Sequence, residues 1–155
     1  MPSRRDLIQM TPGEVSEYLQ SQSRLIVVTN GPSGFPHPVP MNFALDDQGR
    51  ILILTFRKSQ KVKNLQRDSR AALLVESGEF YHELKSVMIY AQAQIIDDRA
   101  EFDAARAFFG GKVQTGVNSA EEQEQARAAM AKRVIVRFTP DQTISWDHAK
   151  LGGRY

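Results

Sequence analysis

"ILILTFRKSQKVKNL", residues 51–65, decides how this chain is read. An apolar run, Ile51-Leu52-Ile53-Leu54, gives way to four cations within seven residues: Arg57, Lys58, Lys61 and Lys63. The stretch predicts a strand ending at Phe56, a turn over Arg57-Lys58-Ser59-Gln60 and a helix from Lys61 to about Asp68. A helix start carries backbone N–H groups without intrahelical acceptors, and cations beside it suit a phosphate or carboxylate. The turn lacks the glycines of a P-loop, and the chain has no GxGxxG, so neither an NTPase nor a Rossmann dinucleotide site is supported. Charge by itself describes an ordinary solvated helix face.

Outward from this stretch, punctuation organises the chain. Thr11-Pro12-Gly13-Glu14 has the form of a capping box with proline at the first helical position, opening a helix to about Gln20. "RLIVVTN" (24–30), "FPHPVPMNFAL" (35–45) and "RILILTF" (50–56) are separated by Gly31-Pro32-Ser33-Gly34 and Asp46-Asp47-Gln48-Gly49, and read as an antiparallel meander. "AALLVES" (71–77) and "SVMIYAQAQII" (86–96) predict two more strands. Helical spacing of Phe102, Ala105 and Phe109 follows an Asp97-Asp98 start and stops at Gly110-Gly111. A second capping box at Ser119 to Glu122 opens a helix to about Lys132, and residues 111–119 read as a mobile loop. "RVIVRFTP" and "QTISWD" are expected as two final strands split by Pro140-Asp141. The expected fold is mainly β with short helices, a six- to seven-stranded antiparallel barrel with helices at its ends. Residues 1–10 form an N-terminal extension and residues 11–155 a single domain.

Within "FPHPVPM", Pro36, Pro38 and Pro40 alternate. In an extended strand, residues two apart direct their N–H groups to the same edge, so one edge of this strand lacks donors over three successive positions. It pairs fully on one side only. That edge is either plain protection against aggregation or a place where a ligand lies.

Composition limits the rest. The 155 residues, 41% hydrophobic and 25% charged, match one globular domain. A formal net charge of +2 is too balanced for a protein that coats nucleic acid, and no cysteine is present to build a disulfide, a thiolate site or a cysteine nucleophile. The absence of cysteine suits a reducing compartment. With neither a signal-like apolar stretch nor a membrane-length run, a cytoplasmic protein without a membrane partner is expected. His37, His82 and His148 lack metal-ligand spacing, so no metal site is expected. Ser145, Asp147 and His148 hold the letters of a triad but crowd into four residues. Trp146, Phe108 and Phe109 read as core or dimer contacts, and Tyr81 and His82 as a polar loop or a pocket wall.

"HPVPMNF", "ILILTFRKSQKVKNLQRDSRAALLVE", "SVMIYAQAQIIDD" and "ISWDHAKL" together resemble the pyridoxamine 5′-phosphate oxidase-like split-barrel family, more narrowly its flavin- and deazaflavin-dependent oxidoreductase branch. The likeness runs from about residue 11 to residue 151. It implies a homodimer with cofactors at the subunit interface. It implies further that the cofactor phosphate lies at Arg57, Ser59 and Lys61, with Lys58, Gln60 and Asn64 as neighbours. The isoalloxazine-type ring would lie against Val39, Pro40, Met41 and Asn42, with Thr55 near the ribityl chain. FMN is the expected cofactor and the deazaflavin coenzyme F-420 the alternative, its acidic tail served by Arg67, Arg70 or Lys85. The implied activity is hydride transfer to a small conjugated acceptor, with no general acid named. A non-catalytic flavin- or haem-binding module is the alternative on the same barrel. A nucleic-acid-binding barrel is disfavoured, since Phe56 is the one aromatic among the cations.

Overall fold

The computed structural model describes residues 3–112 and 119–153. In chain order the regular elements are α1 (Arg4–Ile8), α2 (Pro12–Ser21), β1 (Arg24–Asn30), β2 (Pro36–Asn42), β3 (Ala44–Leu45), β4 (Ile51–Phe56) and α3 (Gln60–Arg67). There follow β5 (Arg70–Ser77), β6 (Lys85–Ile96), α4 (Arg99–Arg106), α5 (Ala120–Ala131) and β7 (Arg133–Asp147). Short 3-10 segments lie at Tyr81–Glu83, Ala107–Lys112 (kinked at Gly110) and His148–Leu151.

The seven strands form one antiparallel sheet in the order β2-β1-β5-β6-β7-β4-β3. β2 and β3 are its opposite edges, yet Phe43 alone separates them in the chain. A sheet whose two edges are joined by one residue has to curl until they adjoin, which gives a split barrel. Phe43 is 2% exposed, and its N–H donates to the Ser23 carbonyl at 3.1 Å. The expected meander therefore stops at β2. β2 pairs with β1 from Arg24↔Asn42 to Asn30↔Pro36, whereas β4 pairs with β3 and β7. The prolines supply the reason. The β1 ladder needs donors, which the alternate positions His37, Val39 and Met41 can give and Pro36, Pro38 and Pro40 cannot, so the proline positions face the free edge.

β7 is one strand rather than two. Pro140 and Asp141 are absorbed as a bulge: Tyr90 stands opposite Gln142 and Ala91 opposite Pro140, leaving Asp141 unpaired in the ladder. β4 accompanies β7 only as far as Phe138, so the missing N–H of Pro140 costs no bond on that side.

Two buried clusters follow from the period-two alternation of the strands. Ile51 and Ile53 of β4, with Val134, Val136 and Phe138 of β7, face the barrel interior and meet Val62 and Leu65 of α3. Leu52 and Ile135 face outward and are covered by Phe102, Ala105 and Phe109. The uninterrupted apolar run of β4 thus reflects burial on both faces. Met10 is buried in the interior cluster and donates its N–H to Ser145 Oγ at 3.1 Å, while Lys150 Nζ reaches the Gln9 carbonyl at 3.0 Å and Glu14 at 2.6 Å. Ser145 is therefore engaged by the chain's own N-terminal segment. Both capping boxes form: Thr11 and Glu14 bond each other's N–H at 2.7 and 3.2 Å, as do Ser119 and Glu122 at 3.0 and 3.1 Å. Residues 113–118, the greater part of the loop expected to be mobile, lie outside the described residues. Among the described residues no helix is long and apolar enough to cross a membrane.

Phe43→Ala tests the closure. It empties a buried aromatic site at the joint of the two edges and should cost about 3–5 kcal/mol in urea unfolding; a loss under about 1 kcal/mol would show that the joint does not depend on that ring.

Candidate cofactor-binding site

α3 begins where β4 hands over to the basic turn. Ser59 is its N-cap by backbone geometry, but the Ser59 side chain makes no capping bond. The first amides of the helix, at Gln60, Lys61 and Val62, have no intrahelical acceptor. Helical spacing turns Lys61, Val62, Asn64 and Leu65 to the buried side. Val62 and Leu65 fill the core, and Asn64 bolts the helix to the sheet by donating from Nδ2 to Thr29 Oγ1 at 3.0 Å. Its Oδ1 accepts from Gln60 Nε2 at 2.8 Å.

Lys61 is the anomaly. It is 9% exposed, and its ammonium donates to Thr55 Oγ1 at 3.0 Å, which in turn lies 3.5 Å from Ser59 Oγ. Among the described residues no carboxylate lies within ion-pair distance of it. Burial alone pulls its pKa below the ordinary lysine value. A buried cation with a single hydroxyl partner, next to uncapped helix amides, is the environment that an anion would complete.

The other cations are disposed differently. Arg57 is turned onto Asp97, with Nε and Nη2 donating at 2.9 and 2.7 Å, and it also reaches the Ala131 carbonyl at 3.2 Å. The two guanidinium groups of Arg57 and Arg99 hold the Asp97 carboxyl below the usual carboxylate range. Lys58 and Gln60 are exposed. The turn therefore brings Thr55, Ser59 and Lys61 together and directs Arg57 elsewhere.

The predicted ring-binding strand stands at the free edge. A groove of about 740 Å³ runs along it, lined by Pro40, Met41 and Asn42 together with Leu54 and Phe109. Arg24, Arg133 and Ser23 complete much of its wall. Its volume is within the range of about 300–1,000 Å³ common for small-molecule sites. Val39 does not line it, nor do the residues of the basic turn. The groove and the turn are linked through β4. Leu54 faces the groove, and the next residue, Thr55, is buried beneath Lys61. Sequence reasoning missed Arg24, Leu54, Phe109 and Arg133. The two arginines open separate strands, and only the curl of the sheet brings them to one groove.

Because desolvation depresses the Lys61 pKa, folding favours its neutral form relative to the unfolded chain. The cost of burying the charge is fully present at neutral pH and is relieved as pH rises through the folded pKa toward the ordinary lysine value. Lys61→Met should therefore raise the melting temperature of the ligand-free protein at pH 7, with the advantage narrowing at alkaline pH in scanning fluorimetry. A lower melting temperature at pH 7 would mean that the ammonium is already well satisfied.

Comparison with known proteins agrees with this architecture. No curated protein matches the chain. A solved structure of Rv2991, a conserved hypothetical protein of Mycobacterium tuberculosis, is 34% identical, with 97% of this chain and 93% of that one aligned at a TM-score of 0.82. An FAD-binding protein of Mesorhizobium loti aligns over 88% of this chain and 92% of its own at 15% identity and a TM-score of 0.65. HutZ, the haem storage protein of Vibrio cholerae, does so over 89% and 97% at 15% identity and a TM-score of 0.67. These last two share the fold. The family model for pyridoxamine 5′-phosphate oxidase matches residues 11–147, nearly the whole described barrel, and the chain belongs to that split-barrel family.

Proposed function

We propose that this protein is a homodimeric oxidoreductase that binds FMN, or alternatively the deazaflavin coenzyme F-420, and reduces a small conjugated acceptor. The observation that carries the reading is Lys61, a buried ammonium with no counter-ion among the described residues, beside uncapped helix amides. Both cofactors bring a phosphate, and that group would complete the site. Lys61 and the first amides of α3 would hold it, with Ser59 Oγ as a further donor. Arg57 would join them only by leaving Asp97, so its part is smaller.

The edge of β2 suits the ring. A β-residue directs its N–H and C=O to the same side, so the free edge offers the carbonyls of Pro38 and Pro40 as acceptors and its first backbone donor at Asn42. An imide edge, which sets an N–H beside carbonyl oxygens, is complementary to that order. Once bound, either cofactor supplies two-electron hydride chemistry. The chain's own part is to anchor the phosphate at Lys61, fix the ring along Pro40 to Asn42, and cover it with Met41, Leu54 and Phe109. The resemblance to HutZ is one of fold, and haem binding without turnover remains the second reading on this barrel.

The dimer is supported by a different face. Ile26, Leu74, Met88 and Ile144 stand in one cross-strand row and Val28, Ala72 and Tyr90 in the next, on the outer side of the sheet. None of them belongs to either buried cluster, and Tyr90 is 44% exposed. A contiguous apolar sheet face of this kind is a candidate interface.

Titration of the cofactor-stripped protein with FMN and with F-420, read by fluorescence, tests the cofactor. Micromolar binding of one of them is expected, weakened by about 1.5–3 kcal/mol in Lys61→Ala and by less in Arg57→Ala. Equal affinity in wild type and Lys61→Ala would contradict the phosphate assignment. Sedimentation velocity tests the assembly: a dimer is expected for the wild type and a monomer for Leu74→Glu, and a monomeric wild type would contradict it.

A further inference from the structure

The groove along β2 differs from its neighbours in charge. It presents two guanidinium groups, Arg24 and Arg133, and no carboxylate among its lining residues. Three neighbouring grooves mix signs. The one of about 440 Å³ near Tyr90 contains Arg70, already paired with Asp68, and Asp141. The one of about 410 Å³ shares Ser23, Arg24 and Pro40 with this groove and sets Glu76 on its far wall, and the one of about 300 Å³ between α4 and α5 sets Asp103 among its arginines.

The two arginines are also available. Neither has a carboxylate partner among the described residues. Arg133 lies over Phe56, its guanidinium carbon 4.4 Å from the centre of the ring. A cation–π contact of this kind leaves the guanidinium N–H groups to donate, and the planar fork favours a planar acid group over a point charge. Beside the arginines the lining is mostly apolar, with Met41, Leu54 and Phe109, and its uncharged polar residues are Ser23 and Asn42.

We infer that this groove selects a flat, apolar ligand carrying an acid group, and that Arg24 and Arg133 are specificity-determining residues for it. Under the proposed function the cofactor ring lies along Pro40 to Asn42 in this same groove and the acid-bearing ligand is the electron acceptor stacked beside it, held at Arg24 and Arg133; the assignment rests on that reading only for this last step. The recognition itself is a property of the empty groove. A neutral acceptor of the same shape gains the apolar contacts but leaves two cations facing an uncharged surface, so the groove discriminates by charge.

The test uses the full-length protein and a pair of fluorescent probes of closely related shape, the anionic 1-anilinonaphthalene-8-sulfonate and the neutral N-phenyl-1-naphthylamine. The anionic probe should bind at least about tenfold more tightly, as hydrogen bonds to a charged group imply, and the preference should shrink with added salt. Arg24→Gln and Arg133→Gln should each lose most of the preference. Arg24→Lys should keep part of it, and Arg106→Gln, which removes a cation outside the groove, should keep all of it. Circular dichroism and melting temperature identify a variant that has failed to fold, and Arg24→Lys supplies the reading if Arg24→Gln does so. Equal affinity for the two probes, binding of neither, or a preference that survives both glutamine variants would overturn the inference. The cofactor reading fails separately: if FMN and F-420 both fail to bind while the probe preference stands, the groove is as described and the phosphate site is not.

Discussion

Three prolines set two residues apart strip the hydrogen-bond donors from one edge of β2, and the sheet has to end there. Much else follows from that constraint. The chain cannot continue the meander, so at Phe43 it crosses to the far edge and begins β3. The crossing draws the two edges together and curls the sheet. The edge that cannot pair with protein is left lining the groove of about 740 Å³, where it offers the Pro40 carbonyl as an acceptor and its first donor only at Asn42. One local feature therefore both closes the barrel and keeps part of it open.

The second organising feature is a cost. Lys61 buries an ammonium against the Thr55 hydroxyl with no carboxylate within ion-pair distance among the described residues, an arrangement expected to cost stability in the ligand-free protein relative to an apolar side chain. The surroundings are otherwise well satisfied, since Asn64 has partners on both polar atoms and Arg57 has a bidentate carboxylate. Against that background an unsatisfied charge marks a position kept for binding rather than for stability.

Local chemistry was the most legible part of the sequence. The capping boxes at Thr11 and Ser119, the strand-to-helix turn after Phe56 and the helix under Phe102, Ala105 and Phe109 all rest on residues a few positions apart. The donor-less edge was legible too, because it depends on one strand. What the sequence concealed was long-range. The split of "FPHPVPMNFAL" at Phe43 depends on which strand each half can reach, and the continuity of β7 through Pro140 depends on where β4 ends. The pairing of Arg57 with Asp97 joins residues 40 positions apart, and it turned the first cation of the basic run away from the others. The groove cations Arg24 and Arg133 each looked like an ordinary strand start.

The central claim is that Lys61 holds its charge for a phosphate, and its own titration tests that most directly. Selective isotope labelling allows the Lys61 side-chain resonances to be followed against pH by NMR, with and without FMN. The account predicts a pKa below the ordinary lysine value in the free protein and a rise when FMN is bound, as the phosphate offsets the desolvation. A pKa that is normal in the free protein, or unmoved by bound FMN, would contradict it.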